Sequence, residues 1–135
     1  MPLVLDASVT LSWHFPDEHN EECDKLLDGL WRDSAIVPPH WRYEICNVTL
    51  GAERRGRSSS NETTELLNWL DLLPISVAAA PSDIETMMLA RRHRLTFYDA
   101  LYLALALREG LPLATLDRAL AGAAQREGVA LSIGQ

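Results

Sequence analysis

The pattern of apolar and polar positions points first to one helix that is apolar on almost every side. Between Thr96 and Leu107 the only charged residue is Asp99. Such a helix must be buried, and a carboxylate carried into apolar surroundings is costly unless something compensates it. Thr96 and Asp99 also have the spacing of a capping box. Two roles therefore stay open for Asp99: closing the first helical turn, or contributing one carboxylate to a metal site.

Other segments have the spacing of helices that bury one face only. From residue 17, apolar residues recur every three or four positions, at Cys23, Leu26, Leu27, Leu30 and Trp31. A helix over residues 40–55 is expected to bury Trp41, Ile45, Val48 and Ala52, which places Glu44 toward the core. Further helices are predicted over residues 8–14, 62–72, 82–94 and 117–128. In the helix that begins near Ser82, we expect Met87 and Met88 to fill the core.

Short apolar runs between these helices predict strands over residues 3–5, 35–37, 75–77, 111–115 and 129–133, the last at a sheet edge. Strands that alternate with helices indicate an α/β fold, a single domain over residues 1–135. We expect a central parallel sheet of four to five strands with helices on both faces. In such sheets, ligands bind beyond the carboxyl ends of the strands.

Four acidic residues occupy positions where such a fold could bring them together. Asp6 and Asp117 each follow a strand, Glu44 faces inward on a helix, and Asp99 opens the apolar helix. If the first and fourth strands are neighbours, all four carboxylates converge at one end of the sheet. Carboxylates that close repel each other unless they bind a divalent cation, and oxygen-only ligands suit Mg²⁺ or Mn²⁺. Two such ions can activate a water and stabilise the leaving oxygen of a phosphodiester.

Each acid also has a purely structural alternative. Asp6 and Asp117 could be N-caps, Glu44 could pair with an arginine, and Asp99 could be only a capping-box partner. Ser8 and Thr115 stand beside two of the acids. They could hydrogen-bond a metal-bound water or cap a turn, and the turn is favoured for Thr115.

Composition and charge narrow the function classes. The net charge of −7 speaks against sequence-independent binding to a nucleic-acid backbone, although arginines cluster at residues 54–57 and 91–94. Lys25 is the only lysine, which excludes a P-loop and disfavours a Schiff-base lysine. Cys23 and Cys46 predict no disulfide framework. Only two residues precede the first apolar run, so we expect a cytoplasmic protein without an export signal or membrane span.

Four motifs in this order resemble the PIN-domain family, and most closely its VapC toxins. They are Leu5-Asp6-Ala7-Ser8-Val9, Trp41-Arg42-Tyr43-Glu44-Ile45-Cys46-Asn47, Tyr98-Asp99-Ala100-Leu101-Tyr102-Leu103-Ala104 and Leu113-Ala114-Thr115-Leu116-Asp117. The resemblance covers essentially the whole chain and implies a magnesium-dependent ribonuclease toxin. Asp6, Glu44, Asp99 and Asp117 match the family's acidic quartet.

The resemblance also implies a homodimer held by a small DNA-binding antitoxin, whose basic or amphipathic tail can enter the acidic site. Arg54, Arg55 and Arg118 are weaker candidates for contacts with the RNA backbone. Two other functions stay open. One is phosphotransfer through Asp6, which is disfavoured because no second acid follows as in Asp-x-Asp and no lysine is available to neutralise a phospho-aspartate. The other is a non-catalytic interaction protein on the same fold.

Overall fold

A computed structural model describes residues 1–131 and confirms the α/β fold. Within these residues the elements are, in chain order, strand β1 (Leu3–Leu5), helix α1 (Ala7–His14), a 3₁₀ turn (Pro16–Glu18), helix α2 (Glu21–Asp33), strand β2 (Ala35–Val37), helix α3 (Trp41–Arg54), helix α4 (Ser60–Leu70), strand β3 (Ile75–Val77), helix α5 (Asp83–His93), helix α6 (Phe97–Glu109), strand β4 (Leu113–Ala114) and helix α7 (Arg118–Arg126). None of the helices in this part of the chain is long and apolar enough to cross a membrane.

The four strands form one parallel sheet in the order β3-β2-β1-β4. Val4 pairs with Ile36 on one side and with Leu113 on the other, so β1 lies between β2 and β4. The first and fourth strands are therefore neighbours, which was the condition for the four acids to converge. The chain moves outward from β1 through β2 to β3 and then returns to the opposite side of β1 as β4. This reversal opens a crevice at the carboxyl ends of β1 and β4, where α/β sheets bind their ligands.

The helices pack in two groups. Helix α1 contacts α2 and α3, whereas α6 contacts α5, α7 and the central strand β1. The connection from β1 to β2 and the connection from β3 to β4 run in opposite directions across the sheet. Because both are right-handed crossovers, they place the two groups of helices on opposite faces. The crevice therefore receives side chains from both layers of helices.

Helix α6 is the buried helix that its composition predicts. Seven consecutive residues from Ala100 to Ala106 are buried, which places the helix against β1 in the core. Thr96 is its N-cap, and the Thr96 hydroxyl accepts a hydrogen bond from the Asp99 N–H at 3.1 Å. Gly110 ends the helix with a φ of 64°, in the left-handed region that glycine enters without strain.

Four apolar side chains that the sequence predicts to be buried in helices are exposed in the structure. Trp31 is 67% exposed because it lies about 100° around α2 from the fully buried Leu30. Val48 is exposed, and its neighbour Thr49 takes the buried position on α3. The methionines are not core filler: Met87 is 38% exposed and Met88 51% exposed.

The boundaries of three other elements also differ. Helix α2 begins four residues later than predicted, after the 3₁₀ turn, and Asn20 caps it. Helix α4 begins at Ser60, two residues before the predicted start, because Ser59 and Glu62 form a complete capping box. Of the expected fifth strand, Ala130 makes a single parallel bridge with Leu113, and residues 132 and 133 lie outside the described part of the chain.

Candidate active site

Asp6 lies at the carboxyl end of the central strand and is 6% exposed. It occupies the N-cap position of α1, but its side chain makes no capping hydrogen bond, so the N-cap alternative does not hold. Instead one carboxylate oxygen, Oδ2, accepts two hydroxyl hydrogen bonds. Ser8 donates at 2.6 Å and Thr115 donates at 2.7 Å. The other oxygen of Asp6 is left for a further partner.

Both hydroxyls connect the end of β1 to the loop after β4. The Ser8 hydroxyl accepts from the Leu116 N–H at 2.9 Å, and the Thr115 hydroxyl accepts from the Asp117 N–H at 3.0 Å. The expected turn at Thr115 is thus present, and the hydroxyl of Thr115 also donates a hydrogen bond to Asp6. Because each hydroxyl accepts from the backbone and donates to Asp6, the pair fixes the orientation of that carboxylate.

Asp117 and Asp99 both lie in the first turns of helices whose starts face the crevice. Asp117 is the N-cap of α7, and its Oδ1 accepts from the Leu120 N–H at 2.9 Å, which confirms the capping alternative for one of its two oxygens. Asp99 is the third residue of α6. The capping box at this helix is only half formed, because Thr96 accepts from the Asp99 N–H without the reciprocal backbone bond. The Asp99 carboxylate still interacts with the Thr96 side chain, whose hydrogen bond lowers the pKa of Asp99 against the larger effect of burial.

Glu44 reaches the site from the other layer of helices. Its Oε1 accepts a hydrogen bond of 2.5 Å from the hydroxyl of Tyr102, which α6 carries and which is fully buried. His40 Nε2 lies 3.4 Å from the same oxygen. No arginine pairs with Glu44 in residues 1–131, so the arginine alternative does not hold. The tyrosine instead holds Oε1 of Glu44, and Oε2 makes no hydrogen bond within residues 1–131.

Burial and the charges of neighbouring acids raise the pKa values of three of the carboxylates. Burial raises the pKa of Asp6, and the charges of Glu44 and Asp117 raise it further, whereas the Ser8 and Thr115 hydrogen bonds lower it. Burial followed by the charges of Asp6 and Asp117 raises the pKa of Asp99. Burial and then the charge of Asp99 raise the pKa of Glu44, against the Tyr102 hydrogen bond. Mutual repulsion of this kind means that the four side chains share one region of the structure.

The donor set fits a hard divalent cation. All four side chains offer carboxylate oxygens, and a cation would relieve the repulsion between them that, after burial, raises the pKa values of Asp6, Glu44 and Asp99. In residues 1–131, no group of three or more His, Cys, Asp or Glu side chains is arranged so that it could hold a metal ion as the side chains stand. The four acids therefore supply suitable ligands without forming a ready-made ion site.

The arginines proposed from the sequence for RNA contacts lie at different distances from this site. Arg118 directly follows Asp117 and is exposed. Arg54 and Arg55 lie at the far end of α3, about 15 Å along the helix axis from Glu44. Of the three, Arg118 is the one that the fold places beside the acids.

Sequence reasoning missed two residues of this site, Tyr102 and His40. Burial raises the pKa of the Tyr102 hydroxyl, so it stays protonated and donates to Glu44. Burial lowers the pKa of His40, and its ring lies 4.8 Å from the Tyr102 ring. The one available signal was the position of Tyr102, because it lies three residues after Asp99 on the same side of a helix.

Comparisons with known proteins identify the family of this chain. The PIN domain family model matches residues 3–125. The chain is 31% identical over 124 residues to Ribonuclease VapC3 of Pyrobaculum aerophilum, covering 90% of this chain and 93% of that protein. The crystal structure of PAE2754 from Pyrobaculum aerophilum has a TM-score of 0.67 at 27% identity, covering 91% of this chain and 79% of that chain.

A toxin–antitoxin complex from Klebsiella pneumoniae has a TM-score of 0.59, covering 89% of this chain and 91% of that chain. At 20% identity this likeness concerns the fold alone. The family match spans nearly the whole chain, and the curated relative matches over nearly its full length. This chain therefore belongs to the PIN-domain family, in the group that includes the VapC ribonucleases.

Proposed function

We propose that this protein is a VapC-type toxin, an endoribonuclease that depends on Mg²⁺ or Mn²⁺. Its active site consists of four acidic residues, Asp6, Glu44, Asp99 and Asp117. The observation that supports the proposal is that four separate elements carry these acids and that their charges, after burial, raise the pKa values of Asp6, Glu44 and Asp99. Membership of the PIN-domain family supports the same reading. Hydrolysis would leave a 5′-phosphate and a 3′-hydroxyl.

The residues of the site have distinct parts in this proposal. Asp6 and Asp99 are the main direct ligands of the cation, and Glu44 and Asp117 complete the site directly or through water. A bound Mg²⁺ or Mn²⁺ supplies an activated water and stabilises charge on the leaving oxygen. Ser8 and Thr115 hold one oxygen of Asp6 and leave its second oxygen for the cation. Tyr102 does the same for Glu44.

The first test is cleavage of structured and single-stranded RNA by the purified protein, with Mg²⁺ or Mn²⁺ and with EDTA. Removal of divalent cations should abolish cleavage. Asp6→Asn and Asp99→Asn should each lower kcat/KM by more than about 100-fold, because changes even to the neighbours of metal ligands cost about 10- to 100-fold. Titration calorimetry with Mn²⁺ should show weaker binding by both variants.

Asp28→Asn is the matched control, since it makes the same chemical change on the exposed surface of α2. It should cleave RNA and bind Mn²⁺ like the unaltered protein. If either Asp6→Asn or Asp99→Asn cleaves as fast as this control, the site assignment is wrong. Failure of the unaltered protein to cut any RNA with either cation would instead favour the non-catalytic alternative.

The proposed toxin also has partners and a cellular setting. A cognate antitoxin with a basic or amphipathic tail fits a protein of charge −7 whose crevice is lined by acids. A homodimer in the cytoplasm, where its RNA substrate resides, completes the proposal. Expression should arrest growth, and Asp99→Asn should relieve the arrest. Co-expression with a short basic protein encoded next to this chain should also relieve it and yield a complex on gel filtration.

A further inference from the structure

Tyr98 places an exposed aromatic ring directly beside the acidic crevice. It is the second residue of α6, it precedes Asp99, and it is 60% exposed. A single exposed aromatic side chain is ordinary on a protein surface and indicates no site alone. Its surroundings distinguish it here.

The Tyr98 ring packs against the His40 ring, which in turn packs against the Tyr102 ring. The His40 ring lies 5.5 Å from the Tyr98 ring, with 34° between the planes, and 4.8 Å from the buried Tyr102 ring. His40 Nε2 also lies 3.0 Å from the Tyr98 carbonyl oxygen, which ties the loop before α3 to the first turn of α6. A row of three rings thus leads from the core to the surface and ends beside Asp99. Tyr98 is therefore a supported aromatic surface at the mouth of the crevice.

Electrostatics around this ring favour an uncharged contact with a nucleic acid. The four acids and the net charge of −7 repel phosphates, and Arg118 is the arginine that the fold sets beside them. Neutralisation of phosphates by clustered basic residues, which supplies most non-specific nucleic-acid affinity, is thus weak here. Stacking of bases on aromatic rings does not depend on net charge.

We infer that Tyr98 is a base-stacking residue whose ring carries an unpaired nucleobase next to the phosphate held at the acidic crevice. The inference rests on the proposed ribonuclease function and specifies its substrate as RNA with an unpaired base adjoining the cleaved bond. A base inside a duplex is stacked on both sides, so it offers no free face to the tyrosine. Cleavage should accordingly concentrate in loops and single strands.

The decisive experiment combines changes in the protein and in the RNA. After the cleavage position has been mapped on a single-stranded oligonucleotide, each nucleotide beside the cut is replaced in turn by an abasic residue. Tyr98→Leu should lower kcat/KM and RNA affinity by about 5- to 150-fold, the range for loss of one stacked base. On the abasic RNA that lacks the stacked base, Tyr98→Leu should cost almost nothing further. Tyr98→Phe keeps the ring and should behave like the unaltered protein.

A binding measurement separates stacking from effects on chemistry. The measurement uses the Asp6→Asn variant, which binds RNA without cutting it, and an RNA that carries 2-aminopurine in place of the stacked base. The fluorescence of this RNA should fall on binding. Adding Tyr98→Leu should abolish that fall. Trp31→Leu is the matched control, because this exposed aromatic residue lies near the amino end of β2, away from the crevice. It should leave cleavage and fluorescence unchanged.

The outcomes distinguish this inference from the function on which it rests. If the unaltered protein cuts RNA but the losses from Tyr98→Leu and the abasic residue add independently, the stacking role is wrong and the ribonuclease function stands. Equal losses in Tyr98→Leu and Trp31→Leu would also overturn the inference. So would a Tyr98→Leu variant that cleaves RNA normally but fails to form a homodimer or an antitoxin complex, because Tyr98 would then be a protein contact. Absence of cleavage by the unaltered protein would overturn the proposed function itself.

Discussion

At the scale of single residues, the site depends on uncharged groups that orient charged ones. Ser8 and Thr115 both donate to the same oxygen of Asp6, and Tyr102 donates to Glu44. Hydrogen bonds to charged groups each contribute about 1.5–3 kcal/mol. These donors also decide which carboxylate oxygen faces the crevice, so their loss should affect catalysis more than folding.

Tyr102→Phe tests this orientation directly. The variant removes the hydroxyl that holds Glu44 but keeps the ring that fills the core. We expect kcat to fall about 10- to 100-fold and Mn²⁺ affinity to weaken, with KM for RNA nearly unchanged, as for other groups that orient metal ligands. The measurements are steady-state cleavage and Mn²⁺ calorimetry.

Tyr43→Phe is the control for this change, because Tyr43 is 75% exposed on the same helix as Glu44. A kcat for Tyr102→Phe equal to that of Tyr43→Phe would show that the hydrogen bond to Glu44 has no role in the reaction.

Asp6→Asn should have opposite effects on stability with and without divalent cations. The pKa of Asp6 is raised in the folded protein, so the folded state holds its proton to higher pH than the unfolded chain does. The stability of the cation-free protein therefore falls as pH rises from the ordinary value of 3.8 through the raised pKa. Above that window the charged Asp6 is destabilising, and in EDTA at pH 7 Asp6→Asn should raise Tm by roughly 4 °C for each kcal/mol recovered.

With Mn²⁺ present, the unaltered protein should have a higher Tm than Asp6→Asn, because a ligand that binds only the folded state stabilises it. The unaltered protein should gain Tm as Mn²⁺ is added, and Asp6→Asn should gain much less. Thermal denaturation followed by circular dichroism across pH provides both comparisons. A lower Tm for Asp6→Asn in EDTA at pH 7 would contradict the repulsion that the structure indicates.

At the scale of elements, helix starts determine where the acids point. Asp99 and Asp117 lie within the first turns of α6 and α7, and a threonine or the acid itself caps each helix. Because the first turn of a helix has a fixed geometry relative to its N-cap, the cap sets the direction of the carboxylate. The buried run from Ala100 to Ala106 then anchors α6 in the core as a rigid support.

Thr96→Ala should therefore cost both stability and activity. Loss of an N-cap lowers the free energy of unfolding by about 1 kcal/mol, and we expect kcat/KM to fall about 10-fold as Asp99 loses its fixed direction. Ser82→Ala removes the N-cap of α5, a helix that carries none of the four acids. It should cost similar stability in urea denaturation and leave cleavage unchanged. If Thr96→Ala and Ser82→Ala cleave RNA at equal rates, the cap of α6 does not control the direction of Asp99.

At the scale of the whole molecule, an acidic protein must bind an acidic polymer. The net charge of −7 limits the number of phosphates that basic side chains can neutralise. We therefore expect RNA affinity to depend only weakly on salt. A partner with a basic tail should show the opposite behaviour, because it gains from the same charge.

Arg118→Gln should weaken RNA binding more than Arg54→Gln, since only Arg118 lies next to an acid of the site. Loss of one phosphate contact lowers the slope of log K against log salt by about 1. Fluorescence anisotropy from low to moderate salt measures both the affinity and the slope. If Arg54→Gln has the larger effect, the RNA follows α3 instead of the start of α7.

The order of strands and helices, the burial of α6 and the four candidate acids could be predicted from the sequence alone. These features follow from apolar periodicity and local spacing, which act over a few residues. The sequence also raised the capping alternatives, which the structure retains in full for Asp117 and in part for Asp99.

Contacts between side chains that are far apart in the sequence depend on the tertiary structure. The pairing of β1 with β4 brings Thr115 to Asp6 across 109 positions, and the Tyr102–Glu44 bond spans 58 positions. The exposure of Trp31 and Met88 likewise depends on which neighbours cover each helix rim. Contacts between distant residues result from packing of the whole chain, so no local pattern records them. The acid in the apolar helix was visible at once, but its three partners and the tyrosine that orients one of them are set by the fold.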